Sequence, residues 1–420
     1  MMNSQWDWQR AKKTIFDLAQ LRDTFRRVDE IVASPDGEKL AALVQAGDEA
    51  FTVCVNGKPW EETFELAWYL RFTPAGTAIA LVRIDDEWTL AADGVPWNER
   101  FEYAWNPRCS GDGRTVAIAY KRDNAYGIAR NGKPWEQGFQ AIRDFCVSRD
   151  GTHAAATVQV QALKEADVSG FFKGVWSVAV DGVAWEERFI NAWNPVISDD
   201  GTRIAAEVRT DICDYSIAIN GTPWPSRYGG VWQPAFLPAN GSAVAPVRHG
   251  GAWMLFKDDK PLWNGRYNQL WHQRFSPDGS RIAAVVSPGF GRWTVAVDDK
   301  PWGKTFPDMV LAPIFSPDGA RVAALVKLNN RWTVAVDGET WPDDFDMAWN
   351  PVFSPDGKHL LARVEVGGAY CIVADGKRRS KSYQRLWDPV FSPDGTSVLL
   401  RYIEDDTYCR QVLPVDEMCG

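Results

Sequence analysis

Four histidines and seven cysteines are the side chains of this 420-residue sequence best suited to nucleophilic, redox or metal chemistry. Zinc sites, thiol redox centres and covalent haem all require such residues at short, characteristic spacings. His153, His249, His272 and His359 are dispersed instead, each in a turn, a loop or a strand start, and no two are spaced as paired metal ligands. No C-x-x-C or C-x-x-C-H occurs, and neither does a G-x-S-x-G elbow, a G-x-G-x-x-G loop, a phosphate loop or H-E-x-x-H. Cys54, Cys109 and Cys371 fall where sister segments carry apolar residues, so they read as small buried hydrophobes; Cys213 and Cys419 lie in a loop and the tail. No catalytic, cofactor-binding or metal-ligating residue is therefore nominated, and a protein that is not an enzyme and holds no cofactor is expected.

The carboxylates follow a pattern of another kind. Asp36, Asp112, Asp278, Asp318, Asp356 and Asp394 each precede a glycine in a turn of the form Ser-Pro-Asp-Gly. There an Asp accepts backbone hydrogen bonds, which is a structural task. A calcium role is conceivable where acids cluster, as at Asp85-Asp86-Glu87 or Asp343-Asp344, but an oxygen cage needs converging loops that the sequence does not show, and no such site is expected.

That turn is the key to the architecture. It recurs ten times, with its glycine at 37, 76, 113, 151, 201, 241, 279, 319, 357 and 395. The interval is close to 38 residues except for one of 50, which carries an insertion near 161–174. Each unit then reads as strands. Arg281–Val286 is a short apolar run of the kind that is covered on both faces, and Trp293–Val297 follows it. A second turn is Asn-Gly or Asp-Gly in seven units, a dipeptide that tolerates positive φ and fits a type I′ hairpin. An x-Pro-Trp segment comes next, and then Ala-Trp-Asn-Pro leads into the following unit. Four short antiparallel strands per unit describe a propeller blade. An all-β propeller of about ten four-stranded blades is expected. A single closed ring is favoured, because no linker rich in Pro, Gly or Ser separates the fifth and sixth units; two five-bladed rings are the alternative.

The chain ends fit closure. After Gly395 only Thr396–Ile403 and Thr407–Leu413 remain as strands, so the last blade lacks its outermost one. Thr24-Phe25 stands nine residues before Ser34, as Phe64 stands nine before Thr73, and Leu21–Val28 is expected to supply that strand. The expected organisation is an extension over 1–20, the propeller over 21–413 and a tail over 414–420.

Tryptophan is the compositional anomaly, with 22 residues. Eight follow the hairpin turn, seven precede the next inner strand and five open the third strand; only Trp6 and Trp8 lie outside the repeat. Most of the repeated ones are expected to fill the wedges between blades. A band on one rim that receives a partner is the other reading, because tryptophan is enriched in binding hot spots. Trp6 and Trp8, outside any blade, are candidate partner contacts. So is the basic run Lys377, Arg378, Arg379 and Lys381, which replaces Pro-Trp in its unit and suits an acidic partner or lipid headgroups.

A net charge of −9 argues against a nucleic-acid or anionic-membrane surface. The first residues lack the apolar core of a signal peptide, and no apolar run approaches the ~20 residues of a membrane helix. A cytoplasmic chain is expected, with membrane association only through partners.

The Ser-Pro-Asp-Gly pattern over residues 25–413 resembles TolB-type propeller repeats. The rarer Asp/Asn-Gly-x-Pro-Trp and Ala-Trp-Asn-Pro signatures, with the tryptophan content, resemble the tryptophan-rich D subunits of the Tmc transmembrane redox complexes of sulfate-reducing bacteria. That resemblance implies a cofactor-free, non-catalytic subunit at the inner face of the membrane, beside a cytochrome b, an iron–sulfur protein and a cytochrome c. It assigns no individual residue. A general interaction propeller and an enzyme sited at a central channel are the competing readings.

Overall fold

The computed structural model describes residues 5–163, 165 and 167–419. The chain is all-β, with ten four-stranded antiparallel blades arranged as a ten-bladed β-propeller. By compactness it divides into two units of five blades each, one formed by 1–63, 70–72 and 267–420 and the other by 64–69 and 73–266.

The seventh blade shows how the repeat folds. Its inner strand is Gln269–Phe275, its second Ile282–Gly289, its third Arg292–Val297 and its outer strand only Lys300–Pro301. In the turn between the first two, Ser276 Oγ donates to Asp278 Oδ1 (2.5 Å) and accepts from the amide of Arg281 (2.9 Å). The Gly279 amide closes the turn on the Ser276 carbonyl (2.8 Å), with φ of 70°. Hydrogen bonds from Ser276 and Ser280 hold the Asp278 carboxyl down to about 2. The turn survives without its aspartate, since the Gly76 amide still reaches the Thr73 carbonyl at 2.9 Å. The turn carboxylates are thus spent on the backbone. The hairpin between third and outer strands has φ of 51° at Asp337 and 96° at Gly338, as a type I′ turn requires.

Trp-Asn-Pro, read in the sequence as a lead-in to the inner strand, is a β-bulge within it. In the third blade Trp105 pairs with Ala119 and Arg108 with Ala117, so two residues face one. Asn106 takes φ of 54° there, and His272 takes 56° at the same place in the seventh blade. His272 thus takes the place that Asn holds in sister blades. In the eighth to tenth blades the bulge splits the inner strand in two, for example Met347–Ala348 and Val352–Phe353, both paired with Leu360–Val366.

The closing strand is a correction. Lys12–Asp17 pairs antiparallel with Thr407–Pro414 and completes the last blade. Within the expected Leu21–Val28 the chain instead finishes a short helix, Ala19–Thr24, which buries Leu21, and then starts the first blade's inner strand at Arg27. The helix takes up the length between the closing strand and Phe25, which packs against the cluster that holds Phe16, Leu21 and Tyr408. Residues 12–17 therefore belong to the propeller, and the segment after 413 is ordered too: Val415–Cys419 is a helix with Val415 and Met418 buried. In the 161–174 insertion, Val168–Phe172 is a helix capped by Asp167, whose Oδ1 accepts from the Gly170 amide (2.7 Å).

Tryptophans following the hairpin do join blades. A Cβ built on the hairpin glycine Gly182 would lie 3.2 Å from Trp135 of the preceding blade, and one on Gly338 3.4 Å from Trp302. A glycine there leaves room for the indole to sit flat on the turn. Trp135, Trp224 and Trp263 are buried, and the other five of the class are half-buried. Phe16 does the same work in the closing strand: a Cβ on Gly57 would meet its ring at 2.5 Å.

Candidate functional site

The two ends of each blade differ chemically. One end carries the Ser-Pro-Asp-Gly and hairpin turns. The other carries the start of the inner strand and the loop between second and third strands, and here the remaining tryptophans gather. The tryptophan of each Trp-bearing bulge packs on the aromatic that opens the third strand of its own blade; in the third blade Trp105 pairs with Ala119 and Tyr126 with Lys121, so the two rings meet diagonally across the second strand. Period-2 alternation sends the two rings to the same face of the sheet.

In the unit spanning 64–69 and 73–266 these pairs are Trp68–Trp88 (5.5 Å between centroids), Trp105–Tyr126 (6.2 Å), Trp193–Tyr215 (6.5 Å) and Trp232–Trp253 (5.4 Å, planes 14° apart). Tyr103 links two of them, 6.1 Å from Trp88 and 5.7 Å from Trp105. Trp68, Trp88, Tyr103, Trp105 and Tyr126 thus form one run of rings across two blades. It is open to solvent: Trp68 and Tyr103 are each 40% exposed, with Leu66 beside them at 41%.

The other unit has the same pairs at Trp271–Trp293 (4.6 Å), Trp349–Tyr370 (5.6 Å) and Trp387–Tyr408 (5.7 Å). Met309, Met347 and, in the loop of the seventh blade, Phe290 are its exposed apolar residues. The tryptophans therefore divide by repeat position: the hairpin class is mainly between blades, and the bulge class lies on one rim.

The expected contact residues are placed as follows. Trp6 and Trp8 stack on each other (6.1 Å, 22°) and are half-buried. Between them, the Asp7 carbonyl accepts from Arg410 and its carboxylate pairs with Lys13 (2.7 Å). Lys377 and Arg378 form the exposed outer strand of the ninth blade. Arg379 donates to the Glu417 carbonyl (2.6 Å), and Lys381 pairs with Glu404 (2.9 Å), which also holds Lys12. Two of these four cations are thus engaged in seating the C-terminal helix and the closing strand.

Charged residues missed in the sequence lie on second strands, at the place where sister blades carry Leu43, Leu81, Val285 or Leu325. Here stand Glu207, Arg363 and Arg401. Glu207 is buried and accepts from Asn194 Nδ2 (2.6 Å); burial, with the nearby Asp144 charge, pushes its carboxyl up to about 7. Arg363 lies 3.9 Å over the Trp349 ring, with Nε 3.0 Å from Asp388. Arg401 donates to the carbonyls of Asp388 (2.8 Å) and Ser34 (3.0 Å). Repeat alignment was the available signal: a charge in an otherwise apolar column.

Desolvation pushes the thiol of buried Cys54 up to about 11 and that of half-buried Cys146 up to about 12, so both stay protonated. Among the described residues no helix is long and apolar enough to cross a membrane.

No family model and no curated protein matches the chain. It is similar in structure to a eukaryotic initiation factor (13% identity, 79% of this chain and 90% of that one, TM-score 0.48). It is also similar to the Dos1 propeller (10%, 97% and 95%, TM-score 0.38) and to TolB from Acinetobacter baumannii (15%, 57% and 60%, TM-score 0.30).

Proposed function

We propose that this propeller is a non-catalytic interaction subunit that receives protein partners on its aromatic rim. The observation that carries the reading is the open run Trp68–Trp88–Tyr103–Trp105–Tyr126. Contiguous exposed apolar surface on a rigid scaffold marks an interaction site, and aromatic anchors dominate binding energy at such sites. Rings already packed against one another lose little conformational freedom on binding, which favours affinity.

The finer reading is an accessory subunit of a membrane-associated electron-transfer complex, without a cofactor of its own. The subunit would be cytoplasmic and peripheral at the inner face of the membrane. Its partners would be a cytochrome b, an iron–sulfur protein and a cytochrome c. The support is the resemblance of the Asp/Asn-Gly-x-Pro-Trp and Ala-Trp-Asn-Pro signatures to tryptophan-rich redox-complex subunits. Tagging the chain in its native host and isolating it from gently solubilised membranes tests both levels. Haem bands with stoichiometric cytochrome and iron–sulfur partners support the finer reading. Stoichiometric partners without a chromophore leave only the interaction reading, and a colourless chain isolated alone contradicts both.

A further inference from the structure

We propose that His359, Asp375 and Cys419 form a binding site for a zinc-class divalent ion that clasps the C-terminal helix Val415–Cys419 to the ninth blade. One ligand atom from each residue lies within 4.8 Å of the other two. Sixteen residues separate the first two and a further 44 the third, so the site is assembled by the fold and has no short motif.

The blade supplies two ligands through the repeat. His359 directly precedes the second strand Leu360–Val366, and Asp375 opens the hairpin after the third strand. Asp375 Oδ1 accepts from the Leu360 amide (2.8 Å), which leaves Oδ2 facing His359 Nδ1 at 2.8 Å. The fourth blade contains the same arrangement, His153 Nδ1 lying 2.6 Å from Asp181 Oδ2, with no cysteine beside it among the described residues. The imidazole–carboxylate pair is therefore ordinary repeat geometry, and the third ligand makes the ninth blade different.

Packing places that third ligand. Val415 and Met418 are buried against the last blade, and Arg379 of the ninth holds the Glu417 carbonyl at 2.6 Å. Cys419 is thereby delivered to Asp375, and burial and the neighbouring carboxylates push its thiol up to about 12. A divalent ion replaces the thiol proton and neutralises the carboxylate it faces, so binding releases protons. Ligand atoms about 2.0–2.3 Å from a tetrahedral ion stand roughly 3.3–3.7 Å apart, so the cluster, whose ligand atoms now lie within 4.8 Å of one another, has to adjust only slightly on binding. One imidazole, one thiolate and one carboxylate suit zinc and its spectroscopic substitute cobalt, and leave a fourth position for water.

The test is a cobalt titration of the full chain. One equivalent should raise a thiolate-to-cobalt charge-transfer band that zinc abolishes by displacement. The band should be lost in Cys419→Ser and His359→Gln, and kept in His153→Gln and Cys213→Ser. Zinc should also slow alkylation of Cys419 and raise the melting temperature of the wild type, but not of Cys419→Ser. A wild type without the band, a band that survives Cys419→Ser, or alkylation of Cys419 indifferent to zinc overturns the proposal. Equal melting temperatures of wild type and Cys419→Ser in chelator establish that the variant is folded.

Discussion

The guanidinium of Arg410, wholly buried in the last blade, donates through Nε to the carbonyl of Asp36 in the first (2.8 Å). Its neighbours complete a polar seam within an apolar propeller: Tyr408 Oη donates to the Gly37 carbonyl (3.0 Å), and Arg410 Nε lies 3.0 Å from Glu38 Oε1. Nε and Nη2 of this buried cation are matched, to the carbonyls of Asp36 and Asp7, while Nη1 has no hydrogen-bond partner among the described residues. Truncation leaves those carbonyls unpaired and a cavity beside Gly37, where both arginine stems now pack. Arg410→Ala should therefore destabilise the fold by about 3 kcal/mol, read as a lower denaturant midpoint.

Removal of residues 1–17 should be more damaging than loss of one contact. Without Lys12–Asp17 the last blade presents the unpaired edge of Thr407–Pro414, and Gly57 loses the Phe16 ring that covers it. Bare edges template intermolecular pairing. The truncated chain should aggregate on a sizing column at concentrations where the full chain does not.

Closure also shows where sequence reasoning reached its limit. Ser-Pro-Asp-Gly is a local signal, since its hydrogen bonds run within about five residues, and Asn-Gly is a local turn dipeptide; ten blades could be counted from the first of them. The closing strand is non-local. Lys12–Asp17 has no hairpin partner, and its register is set by Thr407–Pro414, nearly 400 residues away. Asn106 at φ of 54° made Trp-Asn-Pro a bulge, which no turn motif announces. The rim was half legible: tryptophans sorted by repeat position into two classes, but only packing showed that the bulge class finds partners such as Tyr126. Glu207 stood out in the repeat alignment, but its burial and the His359–Asp375–Cys419 cluster required three dimensions.

Glu207 gives the propeller a pH-dependent weakness. Its folded pKa, pushed up to about 7, lies above the ordinary 4.5. The native state therefore holds this proton more tightly than the unfolded chain, and the stability it contributes is present below about pH 4.5 and lost as pH rises through 7. The shift corresponds to about 3 kcal/mol. Glu207→Gln, which keeps an acceptor for Asn194, should be more stable than wild type at pH 8 and no more stable at pH 4.5. Denaturant melts at the two pH values check this.

Gly338 tests the seat of the inter-blade tryptophans. Alanine at φ of 96° is strained, and its Cβ would press on Trp302 at 3.4 Å. Gly338→Ala should cost about 1–2 kcal/mol. Gly367→Ala, at φ of 60° with open space around it, should cost less.

The two tryptophan classes predict opposite phenotypes. Trp135, buried between blades, should cost about 3–5 kcal/mol when cut to alanine. Trp68, 40% exposed, should cost under about 1 kcal/mol.

The most direct measurement is quantitative co-purification of partners with tagged wild type, Trp68→Ala/Tyr103→Ala and, as a folded control, Gly367→Ala. If the aromatic rim is the interaction face, the double variant keeps the wild-type melting temperature and its partner yield falls at least about thirtyfold, as loss of ~2 kcal/mol of hot-spot energy requires. Partners retained at wild-type stoichiometry by a folded Trp68→Ala/Tyr103→Ala variant would contradict the account.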